Sequence, residues 1–165
     1  MIKPLPAALL MALCTCAAAS ELHVPIPQRP DLVLDVPTGW RHQVSRLSPD
    51  TPPTISLASP DGRAFVLTIT PSWPESPAAA GVSAKDLHQQ VQHAANAEKP
   101  HAVESTLPLI DLDSSGKYGF YFSATEKTPD PDGHKYRTQG AIALNELSVG
   151  FTVLSQSDPA VVTEQ

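Results

Sequence analysis

The sequence predicts an α+β fold, in which helices pack on a mostly antiparallel β-sheet. The first sign is a hairpin pattern late in the chain. Residues 135–144 and 147–156 both alternate large and small or polar side chains, and only Asn145 and Glu146 separate them. Because Asn tolerates a positive φ, this pair is typical of a tight β-hairpin. The large side chains need cover from water, which favours helices packed on the sheet.

A second hairpin pattern lies earlier in the chain. Residues 55–59 and 64–70 are rich in apolar and β-branched side chains, and the segment between them contains Asp61-Gly62. An Asp-Gly pair between two such runs is a strong hairpin signal, since Gly adopts a positive φ without strain. Further strands are expected at residues 32–36, 41–47, 103–113 and 118–125.

One segment, residues 83–99, has a clear helical pattern. Ser83 and Asp86 fit a capping-box-like start, a narrow apolar stripe follows at helical spacing, and Pro100 ends the segment. A second helix start is predicted at Asp158-Pro159, and the sequence stops six residues later. That helix is therefore either short and packed on the sheet, or truncated.

Small side chains alternate with the large ones in the predicted strands. They are Ala64, Gly119, Ala141, Ala143 and Gly150. We expect them to let a helix backbone approach one face of the sheet closely.

The first twenty residues have the order of a secretory signal peptide. Lys3 gives a positive start, residues 5–16 are apolar and residues 17–20 are small. The apolar stretch is shorter than the roughly 20 residues that span a membrane. The predicted organisation is a signal peptide at residues 1–20, an extended Pro-rich lead-in at residues 21–30 and a single α+β domain at residues 31–165.

Both cysteines, Cys14 and Cys16, fall in that apolar stretch. Leu13 and Thr15 precede them, whereas lipid attachment prefers Gly or Ala, so we favour ordinary cleavage and keep a lipoprotein as the alternative. The mature chain would then hold no disulfide, thiol nucleophile or cysteine metal site. We expect a periplasmic or secreted protein with no transmembrane segment in the mature chain.

The charge pattern argues against a nucleic-acid partner. The formal net charge is −6 and no run of basic residues is present, whereas phosphate binding needs clustered Lys and Arg. The 18 prolines lie mostly between apolar runs and predict stiff loops.

Several features together resemble the PsbP/Mog1-like superfamily, as seen in small secreted bacterial proteins. They are the signal peptide, the strand that ends in Pro37-Thr38-Gly39-Trp40, the Asp61-Gly62 hairpin, the mid-chain helix and the late run at residues 140–155. The resemblance implies an α/β/α sandwich that usually closes with a longer helix. It also implies a non-enzymatic binding or assembly role, and some similar bacterial domains inhibit secreted toxins. The family has no shared catalytic motif to carry over.

The segment from Asp130 to His134 has part of a calcium-loop pattern. An EF-hand needs Gly at the sixth position and Glu at the twelfth. Counted from Asp130, Gly133 is fourth and Ala141 is twelfth. A polar hairpin loop is the better interpretation, and Asp130, Asp132 and His134 are retained as candidate binding residues.

Other constellations point away from catalysis and from metals. Asp111 and Asp113 share one side of a strand end, and two carboxylates are too few for a firm cation site. His88 and His93 are five residues apart on the helix, so they diverge. No Gly-x-Ser-x-Gly motif or Gly-rich phosphate loop is present. We predict no catalytic residue, no metal site and no cofactor.

The two tryptophans are the best candidates for contact with a partner. Trp is enriched at interface hot spots. Trp73 lies in a segment stiffened by three prolines, which lowers the entropy lost on binding. Trp40 follows a turn and is more typical of a residue that closes the core. The expected contact surface comprises residues 71–81 and 128–134.

Three functions are weighed. The first is an exported, non-enzymatic domain that binds a protein partner, with an inhibitor or immunity protein as a specific version. The second is a hydrolase whose Ser, His and Asp converge only in space, which requires a Ser and a His within hydrogen-bond reach. The third is a metal-binding accessory protein that uses Asp111 and Asp113, or Asp130 and Asp132. The oligomeric state does not follow from the sequence.

Overall fold

The computed structural model describes residues 19–62, 64–74, 82–114, 117–129, 131 and 133–158, without the side chains of Asp113 and Ser114. The elements in these residues are β1 (Ala19–Val24), β2 (Leu32–Pro37), β3 (Arg41–Ser45), β4 (Thr54–Ala58), β5 (Phe65–Ser72), α1 (Ala84–Glu98), β6 (Ile110–Ser114), β7 (Lys117–Thr125), β8 (Tyr136–Leu144) and β9 (Leu147–Ser155). β3 to β9 form a seven-stranded sheet in the order β3-β4-β5-β9-β8-β7-β6, and β1 and β2 form a separate pair. All these pairings are antiparallel, which confirms the predicted fold class.

The predicted late hairpin lies at the centre of the sheet. β8 pairs with β9 along its whole length, from Tyr136 opposite Ser155 to Leu144 opposite Leu147. Asn145 has φ 54°, as its place in a two-residue turn requires. The other edge of β9 pairs with β5, so this hairpin connects the two halves of the sheet.

At the two other predicted turns, the glycines adopt the positive φ that the sequence indicates. Gly62 has φ 68°, and its N–H donates to the Ser59 carbonyl at 2.8 Å in the β4–β5 hairpin. Gly39 has φ 82°, and the Trp40 N–H donates to the Pro37 carbonyl at 3.1 Å. Gly39 is the third residue of its turn, where a positive φ favours Gly, and Gly62 takes a positive φ directly after Pro60-Asp61.

Helix α1 covers one face of the sheet. Ser83 is its N-cap, and the Ser83 hydroxyl oxygen accepts the Asp86 N–H at 3.1 Å, which confirms the predicted start. One core cluster joins the helix to β7 and β8 and contains Leu87, Val91, Ala95, Ala102, Leu107, Phe122, Ala124, Ala141 and Ala143. Ala141 and Ala143 thus lie under the helix, as expected. No helix in the described residues is long and apolar enough to cross a bilayer.

The opposite face of the sheet is covered by the β1–β2 ribbon. A second core cluster contains Val24, Ile26, Leu32, Val36, Ile55, Leu57, Ile69 and Val149, and so joins the ribbon to β4, β5 and β9. The sandwich implied by the family resemblance has helices on both faces, whereas a β-ribbon takes this place among the described residues. The segment expected to be an extended lead-in contributes most of β1, which begins at Ala19. Residues 1–18, and the helix predicted to follow Asp158, lie outside the described residues.

Two predicted strands are shorter in the structure. β6 begins at Ile110, although the expected strand began at residue 103. The segment before it is irregular because the chain anchors there by other means: Ala102 forms an isolated bridge with Glu126, and the side chain of Leu107 is buried. β3 ends at Ser45.

Candidate functional site

Trp40 packs into the core beneath the β1–β2 ribbon. Its ring lies edge-on to Phe65, with the ring centroids 5.2 Å apart and the planes at 64°. The side chain is half-buried against the second core cluster, which lies beneath the β1–β2 ribbon and is called the ribbon-side cluster below. Closing the core after the turn is therefore a sufficient role for Trp40, and a role in binding stays a prediction.

Trp73 is half-buried against the same cluster and lies at the edge of the described structure. Residues 75–81, most of the expected contact loop, lie outside the described residues. The next residue, Pro74, has a carbonyl that accepts a hydrogen bond from Nη2 of Arg29 at 3.2 Å. The backbone directly after Trp73 is thereby bonded to a buried cation that the sequence analysis did not single out.

The acidic candidates and His134 do not form a described site. Asp130 and Asp132 lie outside the described residues. His134 is half-buried, and its buried Nε2 has no hydrogen-bond partner among the described residues. Asp111 is exposed on β6. Within the described part of the chain, no group of three or more His, Cys, Asp or Glu side chains is placed to hold a metal ion.

The hydrolase hypothesis requires a serine hydroxyl hydrogen-bonded to a histidine ring. Among the residues that the structure describes, no such hydrogen bond is found. His23 pairs with Glu21, Nε2 to Oε2 at 3.2 Å. The His88 ring packs edge-on against Phe120, with centroids 4.9 Å apart.

The structure brings together a cleft that joins two distant parts of the chain. It has a volume of about 630 Å³ and is lined by residues 28–32, residues 144–147 and Lys117. We call it the hairpin-tip cleft. One wall is the turn between β1 and β2, where Gln28 has φ 58°, and the other is the β8–β9 turn at Asn145. A second cavity of about 170 Å³ lies between α1 and the central strands and is lined mainly by Thr, Gln and Gly residues.

The floor of the hairpin-tip cleft is apolar. Leu32 is buried, and Leu144 and Leu147 are half-buried at the end of the central hairpin. Charged side chains lie around this floor: Arg29 and Lys117 are cationic, and Asp31 and Glu146 are anionic. An apolar surface with a few placed polar groups is the usual composition of a ligand-binding cleft.

Arg29 is the unusual member of this cleft. Its side chain is only 7% exposed. The Arg29 Nε lies 3.6 Å from Oε2 of Glu146, which is too long for a hydrogen bond, and no other described residue accepts a hydrogen bond from it. Buried polar groups are nearly always hydrogen-bonded, since an unpaired one loses its hydration without compensation. Arg29 therefore carries an unused donor at the wall of the cleft.

Sequence reasoning missed this site because its two walls are more than a hundred residues apart. Arg29 lies in the Pro-rich segment that was expected to be a lead-in, and Glu146 was considered only as a turn residue. The one local signal was a single arginine between Gln28 and Pro30 in a segment otherwise poor in cations. That signal cannot show which surface the arginine meets.

A separate polar contact anchors the segment after α1. The carboxylate of Glu104 accepts the Thr125 N–H at 2.9 Å and the Thr125 hydroxyl at 2.7 Å. Burial raises the pKa of Glu104, but the two hydrogen bonds from Thr125, together with the backbone N–H of Glu104 itself, outweigh it and hold this pKa below its ordinary value of 4.5.

We predict that Glu104→Gln lowers the free energy of unfolding at neutral pH by about 1 kcal/mol, because hydrogen bonds to a charged acceptor are stronger than those to a neutral one. A depressed pKa stabilises the fold above the unfolded value of 4.5, and that contribution is lost as pH falls through the folded value. The difference between variant and wild type should therefore shrink under acid conditions. Urea unfolding at pH 7 and at several pH values below 4.5 measures it. A difference that is constant with pH would contradict the prediction.

The described residues define a small α+β fold, in which one helix packs on an antiparallel sheet and a β-ribbon covers the other face. This architecture is similar to that of cyanobacterial PsbP (CyanoP) from Synechocystis sp. PCC 6803. The match has a TM-score of 0.50 at 12% sequence identity and covers 98% of this chain and 92% of that one. The predicted resemblance to the PsbP-like fold is thus confirmed at the level of fold. No protein-family model matches the sequence, and no curated protein does.

Proposed function

We propose that this protein is an exported, non-catalytic accessory domain that binds a protein partner through the hairpin-tip cleft. The observation that carries the proposal is the composition of that cleft: an apolar floor with a buried, incompletely hydrogen-bonded guanidinium at its wall. Export is supported by Lys3, the apolar residues 5–16 and the small residues 17–20. The PsbP-like fold is compatible with a binding role.

The cleft has the features of a binding hot spot. Hot spots combine aromatic and Arg side chains in a desolvated centre, surrounded by less important contacts that exclude water. Here Arg29 is buried, Trp73 is adjacent through the Pro74 carbonyl, and Leu147 belongs to the apolar floor. The two turns that form the walls lie in defined backbone conformations, so little loop ordering is required on binding.

A specific version of this function is an inhibitor or immunity protein. The net charge of −6 favours approach to a basic partner, since complementary charges raise association rates. The charge supports this version without distinguishing it from other accessory roles.

The test is site-specific photo-crosslinking in cells that export the full chain. A photoreactive amino acid at Glu146, which is 57% exposed at the cleft rim, should give an adduct with a partner protein. The matched control is Leu47, which is 99% exposed outside the cleft and should give no such adduct.

The purified partner then tests the cleft directly. Trp73→Ala or Leu147→Ala should weaken its affinity for the full chain by about tenfold or more, as expected for hot-spot truncation. Leu47→Ser should leave affinity unchanged, and thermal melts establish that the cleft variants are folded. Equal adducts from both positions, or affinities unaffected by folded cleft variants, would overturn the proposed function.

A further inference from the structure

The cleft also indicates which chemical group its partner presents. We propose that Arg29 anchors a carboxylate that lies beside an apolar side chain on a peptide segment of the partner. This inference rests on the proposed function and specifies the ligand of the same site.

The first argument is the state of the Arg29 guanidinium. A guanidinium offers five N–H donors in a fixed, fork-like arrangement that matches a carboxylate. The structure fixes its orientation with a bond from Nη2 to the Pro74 carbonyl at 3.2 Å and leaves Nε buried without an acceptor. A ligand oxygen that takes the place of the Glu146 carboxylate at Nε would complete the hydrogen bonding of Arg29. Charge-assisted bonds of this kind are about twice as strong as neutral ones.

The second argument is the position of Glu146. Its carboxylate oxygen lies 3.6 Å from the Arg29 Nε, so the guanidinium attracts an anionic oxygen but does not bind this one closely. Glu146 is 57% exposed at the tip of a turn, so its carboxylate keeps much of its hydration, whereas the buried guanidinium needs an anion beside it. A ligand carboxylate can therefore replace Glu146 at small cost, while Glu146 turns toward solvent.

The third argument is the surroundings of the guanidinium. Leu32, Leu144 and Leu147 provide apolar surface in the same cleft, which selects against a fully hydrated anion such as free phosphate. Lys117 adds a second cation to the lining. A volume of about 630 Å³ accommodates a few side chains of a peptide segment, within the usual range for ligand sites.

Nuclear magnetic resonance of the full chain provides the test, with the Arg29 Nε–Hε signal as the reporter. The first probes are N-acetyl-leucine and N-acetyl-leucinamide, which share an apolar side chain and differ in the carboxylate. We expect the acid to shift the Arg29 Nε–Hε signal and the backbone amide signals of residues 28, 29, 31, 32 and 144–147. The amide probe should cause much smaller shifts. Two acetylated peptides then distinguish a main-chain carboxylate from a side-chain carboxylate. The first ends in a leucine with a free carboxylate. The second is amidated at its C-terminus and contains an internal Glu-Leu pair.

Two variants should change the affinity for N-acetyl-leucine in opposite directions. Arg29→Lys keeps the charge and loses the fork, so affinity should fall about tenfold, the equivalent of 1.4 kcal/mol. Glu146→Gln removes the competing carboxylate, so affinity should rise severalfold, an increase that a purely structural role would not produce. Arg46→Gln is the control, since Arg46 donates to the carbonyls of Pro49 and Pro25 and does not line the cleft.

The inference is overturned if the acid and amide probes shift the same signals equally, if neither binds, or if Glu146→Gln fails to tighten binding. These outcomes are separable from failure of the proposed function. If crosslinking at Glu146 yields a partner and cleft variants weaken its affinity, binding at this site is upheld, even where the carboxylate inference is refuted.

Discussion

The Phe122→Ala variant is expected to lose about 3–5 kcal/mol of unfolding free energy, the usual cost of truncating a fully buried Phe. Phe122 is 0% exposed and lies in the cluster between α1 and the sheet. Its neighbours there include Ala124, Ala141 and Ala143, which are too small to fill the space that the ring would leave. A loss of this size is a large fraction of the roughly 5–15 kcal/mol that stabilises a typical domain.

Urea unfolding followed by tryptophan fluorescence measures this loss, since Trp40 and Trp73 both pack on the ribbon-side cluster and report on global unfolding. Phe120→Ala is the matched control. Phe120 lies two residues earlier on the same face of β7, but it is only half-buried and touches His88 at the helix surface. Its truncation should cost clearly less, and equal losses for the two variants would contradict the described packing.

The elements that the sequence predicts well are those with local signals. Asn145 closes the central hairpin and Gly62 the second one, because both turns need a positive φ that few residues tolerate. Ser83 and Asp86 define the start of α1 by hydrogen bonds within four residues. Each of these interactions is completed inside a short window of sequence, so a single sequence contains the information.

The parts that were missed depend on distant partners. β1 is stabilised by its pairing with β2 and by burial of Val24 against β4, β5 and β9, and the four prolines at residues 25–37 concealed that role. The segment before Ile110 contains apolar residues, which predicted a strand from residue 103. In the structure Leu107 packs in the core outside any strand, so β6 is shorter than predicted. The hairpin-tip cleft depends on the same kind of long-range meeting, between Arg29 and Glu146.

The small residues of the sheet were also predicted correctly in part, because their positions depend on strand register. Ala141 and Ala143 lie under α1 as expected, whereas Gly119 is opposite Ile142, on the face away from the helix. Strand register decides the face, and a pattern of small residues does not specify register on its own. Gly140, which the sequence analysis did not single out, has a neighbouring strand's backbone closer to it than Gly119 or Gly150 has.

The Gly140→Ala variant is expected to lose about 3 kcal/mol of unfolding free energy, at the upper end of the usual cost of overpacking. A Cβ at this position would lie 2.3 Å from the Phe120 carbonyl oxygen, 2.6 Å from the Tyr121 Cβ and 2.7 Å from the Phe151 Cζ. A ring can move aside, but the Phe120 carbonyl belongs to the backbone of β7, which pairs with β8 at this point. Relief of the clash therefore requires a local break between two central strands.

Gly150→Ala isolates this steric effect from the general effect of replacing a glycine. Gly150 lies on the neighbouring strand β9 opposite Ala141, and the one described atom within 4 Å of a Cβ there is the Thr70 carbonyl oxygen at 3.6 Å, an ordinary contact. Because alanine has fewer unfolded conformations than glycine, this variant should be neutral or more stable by up to about 1 kcal/mol. Chemical denaturation of both variants gives the comparison. Similar stabilities would mean that β7, β8 and β9 are not packed as closely around Gly140 as the structure shows, since only that packing distinguishes the two sites.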